Sequence, residues 1–115
     1  MTIAMTEVKR MKKTTVDIHG TQWNVERVKG IKIDKKQEDV TYLGRTYFGK
    51  HLIRLRKDLD RVNAVQTMRH ELTHAILFEY GISLSDEESI CNFIGAFAGE
   101  ITDKANLLAK ELGYV

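Results

Sequence analysis

The pentapeptide His70-Glu71-Leu72-Thr73-His74 lies inside a largely apolar run from Met68 to Tyr80, which Gly81 closes. Residues four apart on a helix share one face and lie about one turn from each other. The two imidazoles therefore point to the same side, and the carboxylate between them leans toward the same opening. Chance alone would produce this spacing in roughly one chain in a hundred of this composition. The pattern predicts a zinc site in which Glu71 is the general base.

The residues around this motif predict a long helix. Asn63 and Gln66 have the spacing of a capping box, and Gly81 is a typical helix terminator. Helical projection puts one apolar set on one side, namely Val65, Met68, Leu72, Ala75 and Ile76. The other side carries a second, mixed set, namely Thr67, His70, His74, Leu77 and Phe78. We therefore expect this helix to be buried between two layers.

Length and composition indicate one globular domain. The 115 residues are 43% hydrophobic and 30% charged, which excludes a disordered chain and a membrane-spanning one. Residues 1–13 contain basic side chains without the apolar core of a secretory signal, so we expect a loose N-terminal segment followed by a single domain over 14–115. The single cysteine, Cys91, cannot form an internal disulfide and suits a reducing cytoplasm.

The charge is distributed unevenly along the chain. Residues 1–60 contain 14 Lys and Arg against 8 Asp and Glu, a balance of +6, whereas residues 61–115 contain 4 against 8, a balance of −4. A pair of DNA-reading helices in the second half would need the opposite sign to approach phosphates. Nucleic acid is therefore not the expected partner.

Four stretches with strand-like patterns precede the motif. They are Thr14–Ile18, Gln22–Lys29, Val40–Phe48 and Leu52–Arg56, with turns predicted at His19-Gly20 and Gly49-Lys50. The order of strands followed by helices predicts an α+β fold with N-terminal antiparallel strands.

A second long helix is predicted from Ser85 to about Leu112. Its expected apolar stripe is Ile90, Phe93, Ile94, Phe97, Ala98, Ile101 and Leu108. Catalytic zinc usually has three protein ligands, and the first helix supplies two, so a third is sought here. Glu87 lies on the stripe, whereas Glu88 has the spacing of a capping box with Ser85. Cys91, one turn after Glu87, is a further candidate.

The strand-rich first half, the motif from His70 to His74 and the acidic cluster that opens the second helix together resemble the compact ImmA/IrrE-like zincin metallopeptidases of phages and mobile elements. This resemblance covers roughly residues 41–98 and implies a gluzincin site in which Zn²⁺ is bound by His70, His74 and Glu87, with Glu71 as base. In that family an asparagine often follows the glutamate ligand by four residues. Here Cys91 follows Glu87, while Asn92 follows Glu88, so Glu88 is the alternative ligand.

We therefore expect a small cytoplasmic zinc peptidase that hydrolyses a peptide bond with metal-bound water. Tyr80, His51 and His19 are the candidates for stabilising the oxyanion. Strand Leu52–Arg56 is a candidate edge for an extended protein or peptide substrate. The alternative is a zinc-retaining regulatory or protein-binding module of phage origin that has no significant turnover.

Overall fold

Four strands followed by two long helices form this α+β protein, whose computed structural model describes residues 12–31 and 42–115. The elements are β1 (Lys13–Ile18), β2 (Thr21–Val28), β3 (Gly44–Tyr47), β4 (Leu52–Arg56), α1 (Arg61–Tyr80) and α2 (Glu87–Glu111). Strand β1 begins at Lys13, inside the segment predicted to be loose, and residues 1–11 lie outside the described ranges. In the predicted strand Val40–Phe48, residues 40 and 41 lie outside the described ranges, and Tyr42 and Leu43 precede β3.

The sheet is mixed rather than purely antiparallel. Its strand order is β1-β2-β4-β3, in which β1 and β2 are antiparallel, β3 and β4 are antiparallel, and the central pair β2 and β4 is parallel. The predicted turn at His19-Gly20 closes the first hairpin, with φ angles of 52° and 84°. The predicted Gly49-Lys50 turn is part of a single 3-10 turn, Phe48–Lys50. His51 ends this turn with a left-handed backbone conformation.

Strand β4 occupies the interior of the sheet, so the prediction that Leu52–Arg56 is a substrate-binding edge is wrong. Its backbone pairs with β2 on one side and with β3 on the other, which leaves no free row of donors and acceptors. Within the described residues, β3 is the edge strand on this side of the sheet. Local periodicity identifies a strand but not its neighbours, because pairing depends on where distant strands lie.

The core fills the space between one face of the sheet and the helices. Its largest fully buried side chains are Ile18, Trp23, Val25, Ile53, Leu55, Met68, Leu72, Ile76, Leu108 and Leu112. The chain end closes this core, since the buried Tyr114 donates its hydroxyl to the carbonyl of Arg56 at 2.7 Å. Burial raises the pKa of the Tyr114 phenol.

Both helices begin at aspartate caps that differ from the predicted ones. Asp60 caps α1 by accepting the backbone N–H of Asn63 at 2.8 Å, so the predicted box of Asn63 and Gln66 is wrong. In α2 the capping box is formed by Asp86 and Ser89, not by Ser85 and Glu88. The helix ends are closer to expectation, and Gly81 ends α1 with a φ of 65°, as predicted.

Each helix has one buried face, which corrects the expectation that α1 lies between two layers. The predicted apolar set from Val65 to Ile76 is buried, but His70, His74 and Phe78 are exposed. On α2, Phe93, Ile101 and Leu108 are buried as predicted, whereas Ile90 is 43% and Ile94 is 56% exposed. Burial on α2 is concentrated toward its C-terminal half, where Ala105 and Ala109 also join the core.

Candidate functional site

Helix α1 presents the two histidines of the motif together on its exposed side. The Nε2 atoms of His70 and His74 are 3.3 Å apart, and the ring centroids are 4.9 Å apart with an interplanar angle of 76°. Two imidazole ligands of a tetrahedral zinc ion, each at about 2.0–2.1 Å, have nitrogen atoms separated by about 3.3–3.4 Å. The donor atoms therefore have the separation and exposure that a shared zinc ion requires.

Glu71 lies beside the histidines on the same helical turn, but its side chain is buried and faces strand β3. It is 6% exposed, and its Oε1 accepts a hydrogen bond from the Thr46 hydroxyl at 2.7 Å. The same hydroxyl is 3.2 Å from the backbone carbonyl oxygen of Glu71. A hydroxyl carries one hydrogen, so the shorter, charge-assisted contact to the carboxylate dominates. Thr46 thereby fixes the orientation of the predicted base.

The close approach of β3 to α1 depends on a glycine. A Cβ atom at Gly44 would lie 2.7 Å from Cγ2 of Thr67 and 3.2 Å from Cγ of Glu71, and the first distance is shorter than any real contact of this kind. Glycine alone lets the strand backbone pass this near to the helix. Gly44 therefore helps to set the distance between the edge strand and the carboxylate.

A groove runs between β3 and the exposed side of α1, and the motif lines it. One part, of about 210 Å³, is lined by Tyr42, Gly44, Arg45, Thr46, Phe48, His70, Glu71 and His74. A neighbouring part, of about 450 Å³, is lined by Leu43, Gly44, Asn63, Gln66, Thr67, His70 and Glu71. The two parts share Gly44, His70 and Glu71, so the proposed zinc ligand and base lie where they meet.

Aromatic side chains form one wall beside the histidines. The ring of Phe48 lies 6.2 Å from that of His74 and 5.1 Å from that of Phe78. Phe48 is 39% and Phe78 is 50% exposed, so both rings offer apolar surface to a molecule in the groove. An apolar side chain placed beside His74 would bury part of this surface.

The predicted third ligand is not brought to the histidines. Glu87 and Glu88 are both exposed in the first turn of α2, so Glu87 does not lie on a buried stripe as expected. Cys91 is exposed as well. Across residues 12–31 and 42–115, no three side chains of His, Cys, Asp and Glu form a group that could hold a metal ion. The described residues thus supply a histidine pair rather than a complete ligand set.

The three candidate oxyanion groups have other partners, and none of them lines the groove. His51 Nε2 lies 3.4 Å from Oε2 of Glu79, which also accepts a hydrogen bond from the Trp23 indole N–H at 2.7 Å. Tyr80 stacks against His19, with ring centroids 4.0 Å apart. The partners of His51 and His19 are thus Glu79 and Tyr80, the last two residues of α1.

Among the groove residues that the sequence did not identify are Gly44, Thr46 and Phe48, which approach the motif most closely from β3 and the turn after it. Gly44 and Thr46 alternate within the predicted strand Val40–Phe48, so they share one face of it. That alternation was available in the sequence. The role of this face could not be predicted, because no local feature shows that it meets Glu71, which is 25 residues away from Thr46.

Comparisons with known proteins add no assignment to this site. No protein-family model matches the chain, and neither a curated protein nor a solved structure matches it. Over the described part of the chain, no helix combines the length and apolarity needed to cross a membrane.

Proposed function

We propose that this protein is a zinc-dependent peptidase that uses His70 and His74 as metal ligands and Glu71 as general base. The observation that carries this proposal is the convergence of the two Nε2 atoms, 3.3 Å apart, in the same groove as a carboxylate with a fixed orientation. A bound zinc ion would supply Lewis acidity, which lowers the pKa of a coordinated water and polarises a carbonyl.

Glu71 has the arrangement expected of a general base. Its Oε1 is held by Thr46, and within the described residues its Oε2 accepts no hydrogen bond. That second oxygen can take a proton from water in the groove and pass it to the leaving amine. The surrounding burial keeps the carboxylate in one orientation during both transfers.

The free edge of β3 supports an extended peptide as the substrate. This strand borders the groove along its length and, in the described part of the chain, has no neighbour on its outer side. A peptide that adds to such an edge gains backbone hydrogen bonds whatever its sequence. Phe48 and Phe78 would contact the side chain beside His74.

We place this activity in the cytoplasm, because Cys91 is a free and exposed thiol. Such a thiol persists in a reducing compartment and is exposed to oxidation outside one. Neither Glu87 nor Glu88 reaches the histidines in this structure, so Glu87, the proposed third ligand, or its alternative Glu88 would have to approach them when zinc binds. Zinc titration of the Glu87→Gln and Glu88→Gln variants separates the two.

Metal content and proteolysis test the proposal together. Protein purified after zinc repletion and dialysis should contain about one zinc ion per chain. His74→Ala should lose it, whereas the control His19→Asn, which changes an exposed histidine outside the groove and suits its positive φ, should keep it. Glu71→Gln should retain zinc and lose at least about a hundredfold in cleavage of an unstructured protein such as casein.

Each failure has a distinct meaning. Absence of zinc from the repleted wild-type protein would contradict the metal site. Zinc that is lost in His74→Ala, combined with no proteolysis by the wild type, would favour the regulatory or protein-binding module of phage origin.

A further inference from the structure

A cluster of cationic side chains surrounds Tyr47 on the side of β3 that faces away from α1. The Arg45 and Arg54 guanidinium carbons lie 5.2 and 5.3 Å from the centre of the Tyr47 ring, and Lys50 Nζ lies 5.9 Å from it. Arg45 also lies 5.4 Å from the centre of the Tyr42 ring. We call Arg45, Tyr47, Lys50 and Arg54 the edge cluster.

Over residues 12–31 and 42–115, the carboxylates near the edge cluster neutralise only part of its positive charge. Glu26 lies opposite Arg54 in the sheet register and pairs with it at 3.1 Å. Neither Arg45 nor Lys50 has a carboxylate partner among the described residues, so three cations and one carboxylate leave a local balance of +2. Arg45 also lies directly opposite Arg54, a like-charge arrangement that destabilises a strand pair. Such a cluster is suited to an anionic ligand.

Backbone groups that could pair with a ligand lie beside this cluster. The Arg56 N–H donates to the Leu43 carbonyl at 2.9 Å, which sets the alternation of hydrogen-bonded pairs between β3 and β4. By that alternation Arg45 and Tyr47 bond to β4, and the N–H and C=O groups of Gly44 and Thr46 point to the outer edge. The Asn24 N–H donates to the His51 carbonyl at 2.9 Å. The backbone groups of the odd-numbered residues of β4 therefore point toward β2 and those of the even-numbered residues toward β3, which agrees with this assignment.

A strand added at this edge would have two chemically different faces. Its residues opposite Gly44 and Thr46 would direct their side chains toward the groove, and its residue opposite Arg45 would direct its side chain toward the edge cluster. We propose that the edge cluster selects acidic side chains at alternate positions of an extended peptide bound to β3. This inference rests on the proposed function, since the peptide is the proposed substrate.

The arrangement of Tyr47 favours an acidic peptide over single-stranded nucleic acid. Nucleic acid would be held by bases stacked on open aromatic faces. Three cationic groups already lie within 6 Å of the Tyr47 ring centre, so a base could stack there only by displacing them. Carboxylates need no open ring face, and the arginines can bind them through their N–H groups.

Peptide binding to the Glu71→Gln variant tests this inference without cleavage. The probes are a fluorescent eight-residue peptide that alternates valine with glutamate and its counterpart with glutamine in place of glutamate. We expect the acidic peptide to bind about three- to tenfold more tightly at low salt, because surface ion pairs contribute modestly and several act together. The preference should shrink toward unity at about 0.5 M salt.

Charge reversal at Arg45 provides the decisive comparison. Adding Arg45→Glu should abolish or invert the preference, while the control Lys110→Glu, an equal charge change at the C-terminal end of α2, should preserve it. Equal binding of the two peptides, binding of neither, or a preference unchanged by Arg45→Glu would overturn the inference. Binding of a twelve-residue oligothymidylate more tightly than the acidic peptide would also overturn it, in favour of nucleic acid.

Cleavage by the wild-type protein separates this inference from the proposed function. An acidic preference in binding without cleavage of any peptide would support the edge cluster and contradict the peptidase. Cleavage of both peptides at equal rates, with equal binding, would support the peptidase and overturn the selection of acidic side chains.

Discussion

Replacing Thr46 by valine should destabilise the fold by removing one buried hydrogen bond. Valine has nearly the shape of threonine but cannot donate to Oε1 of Glu71, which the hydroxyl contacts at 2.7 Å. Thr46 is 9% and Glu71 is 6% exposed, so water has little access to replace the lost donor. The carboxylate would then be buried with one partner fewer.

The expected magnitude follows from two opposing contributions. A hydrogen bond to a charged group contributes about 1.5–3 kcal/mol to stability. The additional buried methyl group of valine offsets up to about 0.8 kcal/mol of this. We therefore expect Thr46→Val to lower the free energy of unfolding by about 1–2 kcal/mol. For a domain of this size that corresponds to a fall of about 4–8 °C in Tm.

Urea denaturation at pH 7 with a chelator present measures the change without any contribution from bound metal. Thr46→Ser is the matched control, because it keeps the hydroxyl and loses only a methyl group. A double-mutant cycle with Glu71→Ala isolates the pair and should give a coupling of at least about 1 kcal/mol. Additivity within about 0.3 kcal/mol would refute the reasoning that Thr46 holds the carboxylate.

Three further predictions address the strand contact, the chain end and the metal. Gly44→Ala should lower the free energy of unfolding by about 1–3 kcal/mol, as followed by thermal melts. Adding Thr67→Ser should recover part of this loss, because it removes the Cγ2 atom that the new Cβ would meet at 2.7 Å. A Gly44→Ala protein as stable as the wild type would contradict the contact. Burial raises the folded-state pKa of Tyr114 above its ordinary value of 10.0, so the stabilising contribution of Tyr114 is complete below pH 10 and is lost as the pH rises further. Tyr114→Phe should remove this alkaline loss of stability from the pH dependence of unfolding. An unchanged pH profile would be inconsistent with the prediction. Glu87→Gln should weaken zinc binding at least about tenfold in competition titrations while Glu88→Gln leaves it unchanged, and the reverse result would make Glu88 the ligand.

The helices and their ends were the most predictable features, although their starting residues were not. The five-residue apolar set of α1 and the left-handed Gly81 follow from local periodicity and from the conformational freedom of glycine. The caps are Asp60 and Asp86 rather than the predicted Asn63 and Ser85, because several neighbouring side chains have the chemistry of an N-cap. Which of these side chains becomes the cap depends on where tertiary packing allows the helix to begin.

The spacing of His70 and His74 could be converted directly into adjacent imidazoles, because helix geometry places residues four apart on one face. The surroundings of that pair could not be derived in the same way. Contacts between distant parts of the chain decide which strand forms the edge and which residue holds Glu71. They also decide whether α2 brings a carboxylate to the histidines.

The sequence by itself determined the α+β class, the helix that carries the motif and the convergence of its two histidines, since each follows from periodicity within a few turns. Only the tertiary structure decided that β4 is central, that β3 borders the groove and that Thr46 binds Glu71 across 25 residues. The physical reason is that strand pairing and burial are set by the free energy of packing the whole chain. Local sequence limits those choices without selecting among them.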